Sequence, residues 1–193
     1  MTSQGYDAIR MGHTVANKIE TSNKNIFDYP SSNFRSDFMD MYIVENCKFF
    51  ICTETGISIF PEFLKKPIVY TNWPSLTALP VFAVNSIFIP KKIFSTQNNR
   101  FLNLEDYKKL RLEKNYFDDY FKKSGLKLVN NTENEIYDVV NEIHLRIQNE
   151  WIDSKEDIKL QKEFWNKLDI YDYRADSFRI GSNFLKQNIY LLD

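Results

Sequence analysis

The first half of the chain alternates short apolar runs with stretches of helical spacing. The runs KFFICT (48–53) and PIVYTNW (67–73) are largely apolar on consecutive positions, which is typical of strands covered on both faces in a parallel sheet. Between them, SIFPEFLK (58–65) has the length of a short helix. Strand, helix and strand in this order form a βαβ unit, so the pattern predicts a parallel sheet with helices on its faces.

The other predicted elements follow from the same two periodicities. Further strands are predicted at 6–12, 25–30, 86–90 and 126–131. Further helices are predicted at about 36–46, 107–124, 132–151, 155–168 and 178–187. The alternation of strands and helices makes the predicted fold class α/β.

Two of these helices carry clear start signals. The first is capped by Ser31 and Ser32, or by Ser36. One face of it carries a largely apolar set, Phe34, Phe38, Met41, Tyr42 and Glu45. The long helix opens at Thr132, where Thr-x-x-Glu forms a capping box. Its stripe at helical spacing is Ile136, Val139, Val140, Ile143, Ile147 and Trp151.

We therefore predict a Rossmann-like parallel sheet with added C-terminal helices. Residues 1–150 form the Rossmann-like domain, and residues 151–193 form a helical extension that packs on it. Only five residues precede the first predicted strand. We therefore expect that an upstream part of the protein is missing from this chain.

Composition and charge narrow the function classes. The formal net charge is −1, and basic residues are interspersed with acidic ones, which argues against a nucleic-acid binder. No secretory signal opens the chain, and its most apolar segment, 79–90, is too short to span a bilayer. We expect a cytoplasmic protein, either free or peripheral at the inner membrane.

The two cysteines, Cys47 and Cys52, fall in one predicted strand. Five positions on a strand separate the Cα atoms by about 16 Å and point the thiols to opposite faces, so the two cannot bridge. We expect both to be small buried hydrophobic residues. No Cys/His cluster has zinc spacing, and no Asp-x-Asp motif occurs, so we expect neither a metal nor a cofactor.

The connection Thr53-Glu54-Thr55-Gly56 follows the KFFICT strand and precedes the short helix. Ligands of parallel sheets lie beyond the carboxyl ends of the strands, and free N–H groups at a helix start attract anions. Pro61 fits a first helical turn, which places the helix start near Ser58. A phosphate or diphosphate site is one reading of these residues. An ordinary strand-to-helix connection is the other, and Glu54 would repel a phosphate unless it points away.

Several segments resemble known glycosyltransferases. A strand, an acid-Ser/Thr-Gly turn, a short helix and then Lys-Pro and a strand are similar to the donor half of GT-B enzymes, and heptosyltransferases have a comparable turn with an acid at the position of Glu54. Residues 9–15, 28–56 and 179–188 resemble, in the same order, a family of bacterial glycosyltransferases known mainly from sequence. Glu54-Thr55 in place of Asp-Ser, and Cys52 where glycine is common, depart from that pattern.

This resemblance implies that the chain is the C-terminal, nucleotide-sugar-binding portion of a GT-B enzyme. A separate N-terminal acceptor domain would be absent, so this chain alone is expected to be inactive. The implied partners are a nucleotide diphosphate sugar and a glycan or lipid-linked acceptor of surface polysaccharide or glycoconjugate synthesis. Transfer would need no essential metal.

Further candidate site residues flank other predicted strands. After the first strand, Arg10 would neutralise a diphosphate, Gly12 would let the loop approach the ligand, and His13 would assist the leaving group as a catalytic residue. Arg35 and Asp37 have two readings: phosphate and ribose contacts, or the cap and first turn of a helix. The full set of substrate-binding candidates is Arg10, Gly12, Arg35, Asp37, Thr53, Glu54, Thr55, Gly56, Ser58 and Asn72.

Two other functions fit the same sequence. A nucleotide-sugar 2-epimerase of GT-B architecture has a similar turn, although a second glycine would be expected where Ile57 stands. A non-catalytic, truncated or partner-binding half is the third reading, because a missing first domain would leave apolar surface exposed.

Overall fold

The computed structural model describes residues 1–76, 80, 83–112, 118–168 and 178–193, and it contains three sheets. The strands are β1 (Ala8–Arg10), β2 (Ile26–Asp28), β3 (Phe50–Cys52), β4 (Ile68–Trp73), β5 (Ser86–Pro90), β6 (Lys92–Ser95), β7 (Arg100–Phe101), β8 (Leu126–Val129) and β9 (Phe178–Ile180). The helices are α1 (Asp37–Asn46), α2 (Ile59–Phe63), α3 (Leu104–Lys109), α4 (Asp118–Lys123), α5 (Glu133–Ile147), α6 (Lys155–Leu168) and α7 (Ser182–Gln187).

The central sheet is parallel and has the order β3-β4-β5-β9. Its middle strands, β4 and β5, are buried along nearly their whole length. They carry continuous apolar runs because helices cover both faces. The predicted α/β class with a Rossmann-like parallel sheet is confirmed.

The two faces of this sheet are covered by different helices. On one face, Phe88 of β5 stacks on Phe178 of β9, with ring centroids 4.9 Å apart, and Phe164 and Trp165 of α6 pack against Phe88. On the other face, α5 contacts β4 and β5. The stripe predicted for α5 faces this core, since Val139, Val140 and Ile143 are buried in it.

A second, antiparallel sheet follows directly from β5. Strand β6 begins two residues after β5 ends, and it pairs with β7 on one side and with β8 on the other. Strand β8 was predicted as the last strand of the chain. It belongs to this sheet, and the last strand of the parallel sheet is β9.

The first two strands form a separate, parallel two-stranded sheet. Tyr6, just before β1, packs edge-on against Phe49, just before β3, with ring centroids 5.4 Å apart. The Tyr6 hydroxyl also lies 2.9 Å from Nδ1 of His144 on α5. The amino ends of β1 and β3 are therefore neighbours, although the two strands are not paired.

Several predicted elements need correction. The helix predicted at 178–187 is wrong in its first turn, where β9 joins the sheet and α7 starts only at Ser182. The segment expected as a helical extension thus contributes a strand as well as helices. The single helix predicted over 107–124 is wrong as well, since α3 ends at Lys109; residues 113–117 lie outside the described residues.

The residues around α1 confirm one prediction and correct another. Ser36 caps α1 as expected, since its side chain accepts a hydrogen bond from the amide of Met39. The largely apolar set assigned to this helix is solvent-exposed, with Phe38 of α1 73% and Phe34, just before α1, 70% exposed, whereas Val44 of α1 is buried. Cys47 lies at the end of α1 and is half-buried, so it is not part of strand β3. Cys52 is buried in β3, as expected.

No helix in the described part of the chain is both long enough and apolar enough to cross a membrane.

Candidate functional site

The connection from β3 to α2 lies at the carboxyl end of a strand in the parallel sheet. Thr53, Glu54, Thr55 and Gly56 are all exposed there. No described residue donates a hydrogen bond to the side chains of Thr53, Glu54 or Thr55, or accepts one from them. This turn is therefore an open, polar segment at the edge where ligands of parallel sheets bind.

The helix that follows this turn attracts an anion less strongly than predicted. Residues Gly56–Ser58 form a 3-10 turn, and α2 is only five residues long, so its dipole is small. Ser58 is buried, and its amide and hydroxyl both donate to the Thr55 carbonyl oxygen, at 3.0 and 2.6 Å. Ser58 therefore stabilises the turn. Its two donors are used within the turn and, contrary to the prediction, are not free for a phosphate.

Asn72, at the end of β4, has a structural partner. Its Oδ1 accepts a hydrogen bond from the amide of Asn131 at 2.7 Å, and its own amide donates to Oδ1 of Asn131. Asn131 also donates from Nδ2 to the Pro90 carbonyl oxygen at 2.8 Å. Asn72 has a positive φ of 52°, so this pair holds a bulge of β4 against the start of α5.

Arg10 is held by a carboxylate on the neighbouring strand. Its Nε and Nη2 both lie 2.6 Å from Oδ1 of Asp28 on β2, and its Nη1 donates to the Asn17 carbonyl oxygen. Oδ2 of Asp28 accepts a hydrogen bond from the Ile19 amide, so this carboxylate also fixes the loop between β1 and β2. The guanidinium predicted to meet a diphosphate is therefore an ordered part of this loop.

The loop after β1 carries the other two candidates from that strand. His13 is exposed, and its Nδ1 lies 3.2 Å from the Thr14 hydroxyl. Gly12 has a φ of 139°, a backbone conformation that residues with a side chain rarely adopt. This backbone conformation is sufficient to explain a glycine at position 12. Strand β1 is in the two-stranded sheet, so these residues do not share a sheet with the Thr53–Gly56 turn.

Arg35 and Asp37 lie at the start of α1. Asp37 is the first residue of the helix and is exposed, where its charge complements the helix dipole. Nε of Arg35 is buried and has no hydrogen-bond partner among the described residues. The structure places this pair at the start of α1.

The described residues contain no group of three or more His, Cys, Asp or Glu side chains able to hold a metal ion.

A second charged region, which the sequence analysis missed, lies between α5, β9 and α7. Glu142 of α5 is buried and accepts hydrogen bonds from the amide and hydroxyl of Ser182, at 2.7 and 3.0 Å. Arg146 contacts both Glu142 and Asp153, and Asp153 also pairs with Arg179 of β9. The sequence contained one signal for this region, because Glu142 is a charged residue directly before Ile143 of the apolar stripe.

No family model matches the chain, and no curated protein or solved structure matches it either.

Proposed function

We propose that this chain is the nucleotide-sugar-binding part of a GT-B glycosyltransferase. The donor diphosphate would lie at the Thr53–Gly56 turn, and transfer to a glycan or lipid-linked acceptor would need a separate acceptor domain. The proposal rests on the resemblance of residues 9–15, 28–56 and 179–188 to glycosyltransferases. The observation that carries it in the structure is the open space at Gly56.

Neither backbone conformation nor packing requires glycine at position 56. Its φ is not positive, and a Cβ atom built there would meet no heavy atom within 4 Å. Each of the other four glycines has a positive φ or a neighbour within 4 Å of a built Cβ atom. A bound ligand that approaches the backbone gives a physical reason for this glycine, which the fold itself does not provide.

The order of the strands supports the same location. If the β1–β2 sheet is placed beside β3, where Tyr6 meets Phe49, the order becomes β2-β1-β3-β4-β5-β9. The strands that follow β1 and β3 in the chain lie on opposite sides of this pair, β2 beside β1 and β4 beside β3, so the strand order reverses between β1 and β3. Ligands of open parallel sheets bind where such a reversal occurs, outside the carboxyl ends of the strands. The loops that follow these two strands carry His13 and Gly56.

The roles of the two residues after β1 differ under this proposal. Arg10 is ordered by Asp28, so it would contribute a fixed positive charge near the diphosphate. His13 is exposed, so its ring is accessible to a leaving phosphate. Substitution of His13 would lower the rate of transfer in the enzyme with its acceptor domain, with less effect on nucleotide binding.

The test is a thermal-shift titration of this chain with UDP, GDP, CMP and ADP, with and without Mg²⁺. Saturation at 100 times Kd adds about 2.7 kcal/mol to the free energy of unfolding, a rise of roughly 5–10 °C in Tm for a chain of this size. We expect such a rise with one nucleotide, independent of Mg²⁺. Gly56→Phe should abolish it, because the ring fills the space beside the turn, and Gly56→Ala should weaken it, because a Cβ atom would hold the ligand away from the backbone.

Both variants should unfold at the wild-type temperature without nucleotide, since the position is open. A nucleotide shift that survives in Gly56→Phe would place the ligand elsewhere and contradict the assigned site. No shift with any of the four nucleotides would remove the donor-binding function from this chain on its own.

The exposed apolar face of α1 favours a second candidate, a non-catalytic, partner-binding half. Phe34, Phe38, Met41 and Tyr42 are 39–73% exposed, and Phe63 of the adjacent α2 is 61% exposed. Apolar side chains grouped in this way are typical of interaction surfaces. Sedimentation velocity over a range of concentrations tests this candidate: self-association that Phe38→Ser removes, with no nucleotide-induced rise in Tm, would favour it over donor binding.

A further inference from the structure

A cavity of about 460 Å³ lies at the amino ends of β4 and β5, the edge opposite the Thr53–Gly56 turn. Its volume is in the range of small-molecule sites. The walls come from the ends of three strands and from the last turn of α5. The lining residues are Pro67, Asn85, Ser86, Ile87, Ile143, Arg146, Ile147, Asn149 and Arg179.

Both charged residues among those that line this cavity are arginines, Arg146 and Arg179. Neither carboxylate partner of the arginines is among the lining residues. Glu142 is buried behind Arg146 and is also bound by Ser182, and Asp153 bridges the two guanidinium groups at 2.7 and 2.9 Å. The cavity wall therefore presents two guanidinium groups, whose charges are balanced by carboxylates outside the lining.

The two guanidinium groups differ in how far their donors are used. Nε and Nη2 of Arg146 donate to Glu142, and Nη1 and Nη2 donate to Asp153. Arg179 donates from Nη2 to Asp153, but its Nε is buried and has no partner among the described residues. A buried donor without an acceptor is costly, and a ligand oxygen that reaches Nε after a small turn of the guanidinium would remove that cost.

The surroundings of Arg179 disfavour its positive charge. Burial and then the neighbouring charge of Arg146 lower the pKa of the Arg179 guanidinium, in spite of Asp153. A second negative group beside Arg179 would oppose both effects.

The rest of the wall is suited to an apolar body. Ile87, Ile143 and Ile147 line it on the side of the sheet and α5, while Asn85 and Asn149 add amide groups. An apolar ligand body would bury surface against the isoleucines, and an oxyanion would reach the arginines.

We propose that this cavity is a binding site for a small organic oxyanion, a carboxylate or phosphate monoester on an apolar body, which accepts a hydrogen bond from Nε of Arg179. The site is separate from the proposed donor site and does not depend on it. The last turn of α5 and strand β9 form it together, so the ligand would tie β9 to the helix.

The experiment is a titration of the full chain with phenyl phosphate, benzoate and inorganic phosphate, and with benzyl alcohol as the uncharged control. Binding is measured by calorimetry, and the Arg Nε–Hε signals are followed by ¹H–¹⁵N NMR. We expect saturable binding of phenyl phosphate or benzoate with a downfield shift of one Nε–Hε proton, absent from the spectrum of Arg179→Lys. Stronger binding of one of these two identifies the oxyanion, and equal binding of inorganic phosphate would show that the apolar wall contributes nothing.

Three variants make the assignment specific. Arg179→Lys keeps the charge but removes the Nε donor, so the affinity should fall about tenfold or more. Ile147→Trp keeps both arginines and fills the cavity, so it should also weaken binding. Arg100→Lys, at the surface pair with Asp106, is the matched control and should bind as wild type.

The proposal is overturned if none of the anions binds, if benzyl alcohol binds as well as benzoate, or if the Nε–Hε signal of Arg179 does not move on saturation. The last measurement is made on the wild-type chain, so it holds even where a variant fails to fold.

Discussion

The thiols of Cys52 and Cys47 differ in their surroundings. Cys52 is 8% exposed at the end of β3, and burial, followed by the charge of Glu62, raises the pKa of its thiol to about 12. Cys47 is half-buried, and its thiol donates to the Val44 carbonyl oxygen at 3.1 Å. Burial also raises the pKa of Cys47. The thiolate is the nucleophile, so both are expected to react slowly.

Alkylation by iodoacetamide at pH 8 tests this difference. Only about one Cys52 thiol in ten thousand would be ionised at that pH, and it is also shielded by the sheet, so Cys47 should be labelled first. Peptide mass spectrometry after timed quenching gives the two rates. Both cysteines should react fast in guanidinium chloride, and labelling of native Cys52 at the same rate as free glutathione would contradict its burial.

At single positions, the sequence identified polar groups but not their partners. Asn72 follows a strand and has a side chain suited to ligand contacts, so the pattern predicted a binding role. Its partner, Asn131, is 59 residues away, and no local signal couples the two positions. The same holds for Arg10, whose carboxylate Asp28 belongs to another strand. Exposure of the Thr53–Gly56 turn was predictable because it follows from the local strand-turn-helix order.

Among the helices, α5 has the strongest local start signal, and one of its first residues joins three elements. The Thr132 hydroxyl accepts from the Glu135 amide, and Oε2 of Glu135 accepts from the Thr132 amide. Oε1 of Glu135 also meets Lys92 of β6 at 2.7 Å and Asn188 after α7 at 3.2 Å. The cap therefore orients a carboxylate that joins α5 to β6 and to the C-terminal segment.

Loss of the cap should be measurable without any change in the core. Thr132→Ala removes the hydroxyl acceptor and is expected to lower the free energy of unfolding by about 1 kcal/mol. Thr132→Ser keeps the hydroxyl and should remain within about 0.5 kcal/mol of wild type. Urea unfolding followed by circular dichroism gives both values. An alanine variant as stable as the serine variant would mean that the box contributes little.

Elements were predictable where their own sequence was sufficient to define them. The capping box and stripe of α5 and the apolar runs of β4 and β5 are such cases. Strand β9 is only three residues long, and it forms because Phe178, Arg179 and Ile180 pair with β5, far away in the sequence. Helix α1 is a case in which the local sequence predicted the helix but not its surroundings. The predicted residues Phe38, Met41 and Tyr42 are exposed, and the buried side chain of α1 is Val44, outside that set, so spacing alone did not identify the face that meets the core.

For the whole molecule, several buried or half-buried carboxylates lie beside cations. Burial by itself would raise the pKa of Asp157 and of Glu135, but hydrogen bonds from Lys186 and Lys92, respectively, bring each pKa below its ordinary value. The unfolded pKa values are 3.8 for Asp and 4.5 for Glu. A carboxyl whose folded pKa is lower stabilises the fold above the unfolded value, and this contribution is lost as the pH falls through the folded value.

We therefore expect stability to be nearly constant from pH 7 to about 5 and to fall below about pH 4. Urea midpoints at pH 7, 5, 4 and 3 measure this dependence. Lys186→Met leaves Asp157 without its cation and should give a lower midpoint at pH 7 with a shallower decline in acid. A midpoint that rises between pH 5 and 3 would contradict the assignment of these ion pairs.

The late position of β9 in the sequence has a consequence for synthesis. Strand β5 pairs with β9 at its outer edge, yet roughly 90 residues must be translated between them, which takes on the order of ten seconds at typical rates. During that interval the nascent chain presents an unpaired, strongly apolar strand, the kind of edge that adds foreign strands. Chaperone occupancy on translating ribosomes should therefore be highest after β5 emerges and decline once β9 is available.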